Sequence, residues 1–103
     1  MEVIYLPKAE GFVRSLDPVA KNQTLVMVDM LEEMGYLLKM PFSKSLGKGL
    51  FELRVVGNNH VRIFYSFYDG KIYLLHGIIK KTQRIPQREI ALSRNIKKRL
   101  ESR

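Results

Sequence analysis

Apolar and polar positions change their period along the chain, and each change marks an element. Val3-Ile4-Tyr5-Leu6 is short, β-prone and closed by Pro7, which predicts a first strand. Pro7 suits the first turn of a helix, and Ala9, Phe12, Val13 and Leu16 recur at helical spacing behind it. Asp17-Pro18 is a second helix start, a capping side chain followed by proline at the first helical position. Val19, Val26, Met27, Met30, Leu31, Met34 and Leu38 then form one stripe, predicting a long helix that Met40-Pro41 ends. Methionines at that spacing read as core filler. Residues 41–49 read as a loop, and their Gly-Lys-Gly lacks the spacing of a phosphate-binding P-loop.

Three strands are expected next. Leu50 to Val56 alternates, with Phe51, Leu53 and Val55 on one face and Glu52 and Arg54 on the other. Gly57-Asn58-Asn59 reads as a turn, and His60 to Tyr68 is rich in aromatic and β-branched residues. Asp69-Gly70 is a two-residue hairpin signal that returns the chain through Lys71 to Ile79. Pro86 opens a last helix, with Leu92, Ile96 and Leu100 at four-residue spacing among basic residues. The expected order is β-α-α-β-β-β-α. It describes a single α+β domain over residues 1–103, with an antiparallel sheet, two N-terminal helices on one face and a basic C-terminal helix.

Composition narrows the chemistry. With no cysteine, disulfides, thiolate nucleophiles and cysteine-ligated metals are excluded, and His60 and His76 alone make a poor metal centre. No cofactor is expected. No stretch is long enough to span a membrane and no secretion signal is visible, so the expected location is the cytoplasm. The formal charge is +8, and it is unevenly placed. Residues 1–49 hold six Lys/Arg and six Asp/Glu, whereas residues 50–103 hold twelve against four. A located basic surface of this kind attracts polyanions, nucleic acid above all.

Strand register gathers part of that charge. A two-residue turn at Asp69-Gly70 pairs Tyr68 with Lys71, and counting back pairs Phe64 with Leu75 and Arg62 with Gly77. Val61, Ile63, Tyr65, Phe67, Ile72, Leu74, His76 and Ile78 then share an apolar face that should meet the helices, leaving His76 a core histidine. Arg62, Phe64, Ser66 and Tyr73 occupy the other face, with Lys81 just beyond the strand. If Val56 pairs with His60, Arg54 faces Arg62 and Glu52 faces Phe64. Like charges directly across a sheet are destabilising. Two arrangements resolve this pair: a bound anion that matches the planar guanidinium forks, or Glu52 bridging both arginines.

Leu50-Phe-Glu-Leu-Arg54, Val61-Arg-Ile-Phe-Tyr65, Leu74-Leu-His-Gly-Ile-Ile-Lys-Lys-Thr82 and Pro86-x-x-Glu89-Ile90 form an ordered set. It resembles the phage-related branch of the RelE/HigB toxin superfamily, over nearly the whole chain. The resemblance implies the toxin half of a type II toxin–antitoxin pair, a metal-independent endoribonuclease that cuts messenger RNA on the ribosome. It also implies a small antitoxin partner, often of helix-turn-helix type, and operator DNA reached only through the toxin–antitoxin complex. The family's basic cleft positions fall on Arg54, Arg62, Lys80 and Lys81. Tyr65 matches an aromatic position of the motif, although alternation turns its ring to the core. Some relatives carry a catalytic tyrosine near the C-terminus; this chain has no tyrosine after Tyr73.

Cleavage of RNA by its own 2′-hydroxyl needs a base, cations for the charge on phosphorus and an acid for the leaving oxygen. Arg54 and Arg62 are expected to grip the phosphate, Lys80 or Lys81 to stabilise charge or supply the proton, and Glu52 or His60 to act as base. Arg54→Ala and Arg62→Ala are both expected to fold and to lose toxicity. Arg84, Arg88, Arg94, Lys97 and Lys98 are candidates for RNA phosphate contact, or for a solvated face that an antitoxin covers. Competing functions are a non-ribonucleolytic toxin on the same fold that poisons gyrase, and a non-toxic basic RNA-binding phage accessory protein.

Overall fold

In a computed structural model, which describes residues 1–102, five strands form one sheet in the order β1-β5-β4-β3-β2. The elements are β1 (Val3–Tyr5), α1 (Pro7–Ser15), α2 (Pro18–Met34), β2 (Ser43–Gly47), β3 (Leu50–Val55), β4 (Asn58–Tyr68), β5 (Lys71–Ile79) and α3 (Gln87–Glu101). The fold is the expected α+β arrangement with two refinements. Residues 43–47, read as loop, are an edge strand, and β1 runs parallel to β5, so the sheet is mixed. Ser43 to Gly47 has little intrinsic strand preference, and its conformation comes from pairing with β3. The hairpin closes through Gly47, Lys48 and Gly49, all at positive φ, the region where glycine carries no steric cost.

Helix α2 starts as expected and stops early. Asp17 Oδ1 accepts from the Ala20 N–H at 2.9 Å, a cap that contributes about 1 kcal/mol. Gly35 then takes φ +53° and its N–H bonds to the Leu31 carbonyl, ending the helix well before Met40-Pro41. A Cβ on Gly35 would lie 2.8 Å from Met1 Sδ, so the position favours glycine on space as well as on backbone. The buried stripe is Ala20, Thr24, Met27, Val28 and Leu31. Val19 and Val26, assigned to the core stripe by spacing, are instead exposed. The buried stripe keeps Met27 and Leu31 of the expected one and takes Ala20, Thr24 and Val28 in place of Val19 and Val26.

Two clusters flank the sheet. On the first face α1 and α2 enclose Val13, Leu16, Met27, Leu31, Leu53, Ile63, Tyr65 and Leu74. On the second face α3 covers only part of the sheet, packing Leu100, Ile96 and Ile90 near Leu50, Phe64, Leu75 and Ile78. Burial of each large apolar side chain stabilises by roughly 1.5–3 kcal/mol. The Glu52, Arg54 and Arg62 end of that face lies outside the α3 cluster.

Register bears out part of the expected pairing. Arg54 lies opposite Arg62, Glu52 opposite Phe64, and Tyr68 opposite Lys71. The first turn closes differently: Val55 pairs with Asn58, a bulge absorbs the extra residues, and the expected Val56–His60 pair does not form. A second bulge breaks β4–β5 between Phe64 and Tyr65. Phe64 therefore faces His76 rather than Leu75, and Arg62 faces Ile78 rather than Gly77. Leu75 is the extra residue, and from His76 onward side chains are turned to the opposite face from the one that simple alternation assigns.

Candidate functional site

The two facing arginines share one carboxylate. Glu52 Oε1 accepts from Arg62 Nε at 2.9 Å and from Arg54 Nε at 3.1 Å. The two arginines differ in every other respect. The Arg62 side chain is 8% exposed, and its Nη1 donates to the carbonyls of Asn59 and Val61. The Arg54 side chain is 30% exposed, and Glu52 is its one partner among the described residues. The carboxylate bridge, one of the two arrangements open to the pair, is formed. Its net charge remains positive, because one carboxylate serves two guanidiniums.

Beside this bridge lies a cavity of about 400 Å³ lined by Asn59, His60, Arg62, Lys80, Lys81, Thr82 and Gln83. Strand pairing builds it: the Lys80 N–H donates to the His60 carbonyl at 2.6 Å, continuing the β4–β5 ladder past Ile79. His60 Nδ1 stands 3.2 Å from the Lys80 carbonyl. A carbonyl only accepts, so this contact is a hydrogen bond when Nδ1 carries the proton, and neutral His60 then keeps a lone pair on Nε2. Lys80 Nζ donates to the Gln83 carbonyl at 3.0 Å, which ties the ammonium to the 80–86 segment. Lys81 is exposed and has no carboxylate within salt-bridge distance among the described residues.

Residues 11–98 match the family described as Phage derived protein Gp49-like (DUF891). The chain belongs to this family. Its fold is similar to that in the crystal structure of the isolated E. coli RelE toxin, with a TM-score of 0.64 and 13% identity. The match covers 91% of this chain and 97% of that one. No curated protein matches. The Gp49-like chain therefore has a RelE-like fold.

The remaining candidates of this Gp49-like protein divide into anchored and free cations. Arg94 donates to the carbonyls of Leu46 at 2.8 Å and Gly47 at 3.0 Å, clamping α3 to the end of β2. Lys97 pairs with Glu101 at 2.8 Å. Arg88 lies 3.6 Å from Glu89 but is largely exposed, and Arg84 and Lys98 are exposed. Structure thus brings Arg54, Arg62, Glu52, His60, Lys80 and Lys81 to one end of the second face. Arg94, Lys97 and Lys98 lie along α3, away from them, lining a separate depression with Lys48.

His76, Ile78 and Lys44 change place relative to the sequence reading. His76 does not point to the first apolar face. The bulge at Leu75 turns it to the second face, where its ring stacks on Phe64 and its Nε2 lies 2.8 Å from Glu89 Oε1. Lys44, assigned to a loop, stands opposite Glu52 on β2 and is exposed. The Gly47-Lys48-Gly49 hairpin signal could have revealed β2 and with it Lys44. Tyr65 lies in the first core as alternation requires, its hydroxyl paired with Ser43. Burial pushes its phenol above the ordinary value, while the Ser43 bond acts in the opposite direction.

Among the described residues no helix is long and apolar enough to cross a membrane, and no group of three or more His, Cys, Asp or Glu could hold a metal.

Proposed function

We propose that this Gp49-like chain is the toxin of a toxin–antitoxin pair and acts as an endoribonuclease on messenger RNA held in the ribosome. One observation carries the reading: His60, Arg62, Lys80 and Lys81 converge on a single cavity beside the Glu52-bridged arginines. A base with a free lone pair and several cations around an open depression is the equipment that 2′-hydroxyl attack on phosphorus requires. His60 Nε2 takes the 2′ proton as the O2′–P bond forms. Lys81 offers charge and a proton to the 5′ oxygen as its bond to phosphorus breaks, leaving a cyclic phosphate and a 5′-hydroxyl. Arg54 and Lys80 hold the non-bridging oxygens. Arg62 and Glu52 act as the frame that positions Arg54, because both are buried and bonded to each other. The free cations Arg84, Arg88 and Lys98 contact ribosomal or messenger phosphates, while Arg94 and Lys97 chiefly hold α3 in place.

The partners proposed are the ribosome with its messenger RNA and a neutralising antitoxin of helix-turn-helix type, through which alone the toxin reaches operator DNA. The place of action is the cytoplasm. Primer extension on messenger RNA after induction tests the reaction. Cuts in phase with codons are expected. Growth arrest with intact messenger RNA and trapped gyrase–DNA complexes would move the protein to the gyrase-poison class. No growth arrest on expression would leave only an RNA-binding accessory role.

A further inference from the structure

Helix α2 carries a second apolar row that the fold leaves uncovered. Its buried side is Ala20, Thr24, Met27, Val28 and Leu31. On a different side Val19 is 68% exposed and Val26 54%, with Met30 half-buried below them. Leu37, in the tight turn that follows the helix, is 72% exposed. With Gln23 and Glu33 included, the row runs through positions 19, 23, 26, 30, 33 and 37, in alternating steps of four and three. That is the period of the seam along which two helices pack side by side. Single apolar side chains scattered on a surface are ordinary, whereas a periodic row of them marks an interaction face.

The row has the same spacing read from either end. Val19 and Leu37, Gln23 and Glu33, and Val26 and Met30 are each symmetric about residue 28. A two-fold axis crossing an antiparallel helix pair at that residue lays Val19 of one copy against Leu37 of the other, and Val26 against Met30. The polar members match as well. Gln23 spends one amide hydrogen on the Gly57 carbonyl at 3.3 Å and keeps a second for the exposed Glu33 carboxylate of the other copy. Asp29, Glu32 and Glu33 fall level with Met27, Thr24 and Gln23, so no carboxylate is set against another. A formal charge of +8 opposes self-association, but α2 belongs to the neutral half of the chain. It also packs on the first face, across the sheet from the arginine bridge.

We propose that two copies of this chain pair through α2, as antiparallel helices about a two-fold axis at Val28. The proposal is independent of the toxin reading. Self-complementarity selects the occupant: each member of the row finds its counterpart only in a second copy laid antiparallel. The candidate reaction cavity lies at the second face, so the pairing leaves it open in both copies. One helix per copy makes an interface at the small end of specific contacts, below about 1,200 Å² in total, and such contacts are reversible. The dimer is therefore expected at roughly micromolar concentration and above.

Sedimentation equilibrium on the purified chain, from roughly 1 µM to 1 mM, tests the association, and a monomer–dimer equilibrium is expected inside that range. Val26→Lys sets an ammonium in the middle of the seam, at an exposed position that the fold does not use. It should weaken association about tenfold or more, with circular dichroism unchanged. Because the chain has no cysteine, direction can be read by cross-linking. Val19→Cys mixed with Leu37→Cys should form a disulfide between copies. Either variant alone should not, since like positions lie roughly 25 Å apart, far beyond disulfide reach. A monomer throughout the range, undiminished association of folded Val26→Lys, or cross-links between like positions would each overturn the proposal. So would α2 amides that respond in NMR only when another protein, the antitoxin included, is added, which would assign the face to that protein.

Discussion

The second face of the sheet has two ends made from the same strands, and they are built on opposite principles. At one end α3 lays Ile90, Ile96 and Leu100 near Leu50, Phe64 and Leu75, and apolar contact does the work. At the other end Arg54, Arg62 and Glu52 form a charged bridge beside an open cavity. The covered end can be understood from stability alone. The open end cannot, because replacing a buried ion pair by apolar residues of similar volume is often neutral or stabilising. Charge retained at such a cost is most simply explained by chemistry that apolar residues could not perform. The same contrast divides the cations: Arg94 and Lys97 are engaged near the covered end, whereas Lys81 is free at the open one.

The largest expected effect that would break this comparison is catalytic. His60→Gln should lower messenger cleavage by about 10²–10⁴-fold while leaving the unfolding midpoint unchanged, since His60 is exposed. Thermal unfolding and primer extension on the same preparation check both halves. Next comes Arg62→Ala, which removes the buried partner of Glu52 and should destabilise by about 3 kcal/mol in urea unfolding. That outcome replaces the sequence-based expectation that both arginine variants fold normally. Arg94→Ala deletes two charge-assisted bonds to carbonyls at the α3–β2 junction and should cost about 1–2 kcal/mol. Arg54→Ala sharpens the contrast at the small end. Its pair is partly exposed, so the stability change should stay under about 1 kcal/mol, while the salt slope of RNA binding falls by about one.

The Arg54–Arg62 juxtaposition was legible in the sequence because alternation is strict over each strand and both residues sit within a regular stretch of pairing. It survived an error in the turn, since the bulge at Val55 lies outside that stretch. His76 was not legible. Ile72 to Ile79 is almost uniformly apolar around it, so nothing in the pattern marks Leu75 as the extra residue, and one bulge reverses the face of every later residue in the strand. The α2 stripe failed for a different reason: size ranked Val19 and Val26 above Ala20 and Thr24, while packing selected the small pair. Lys44 was missed with β2, whose Ser-Lys-Ser sequence becomes a strand only through its partner.

If the open end performs the chemistry, removing its base must silence a protein that is otherwise intact. The most direct test places purified wild-type protein and His60→Gln, matched for folding by circular dichroism, on ribosomes programmed with a defined messenger, and reads the cuts by primer extension. Cuts by the wild type that fade at least about a hundredfold in the variant are predicted. Cuts that persist at the wild-type rate, or a folded wild type that makes none, would contradict it.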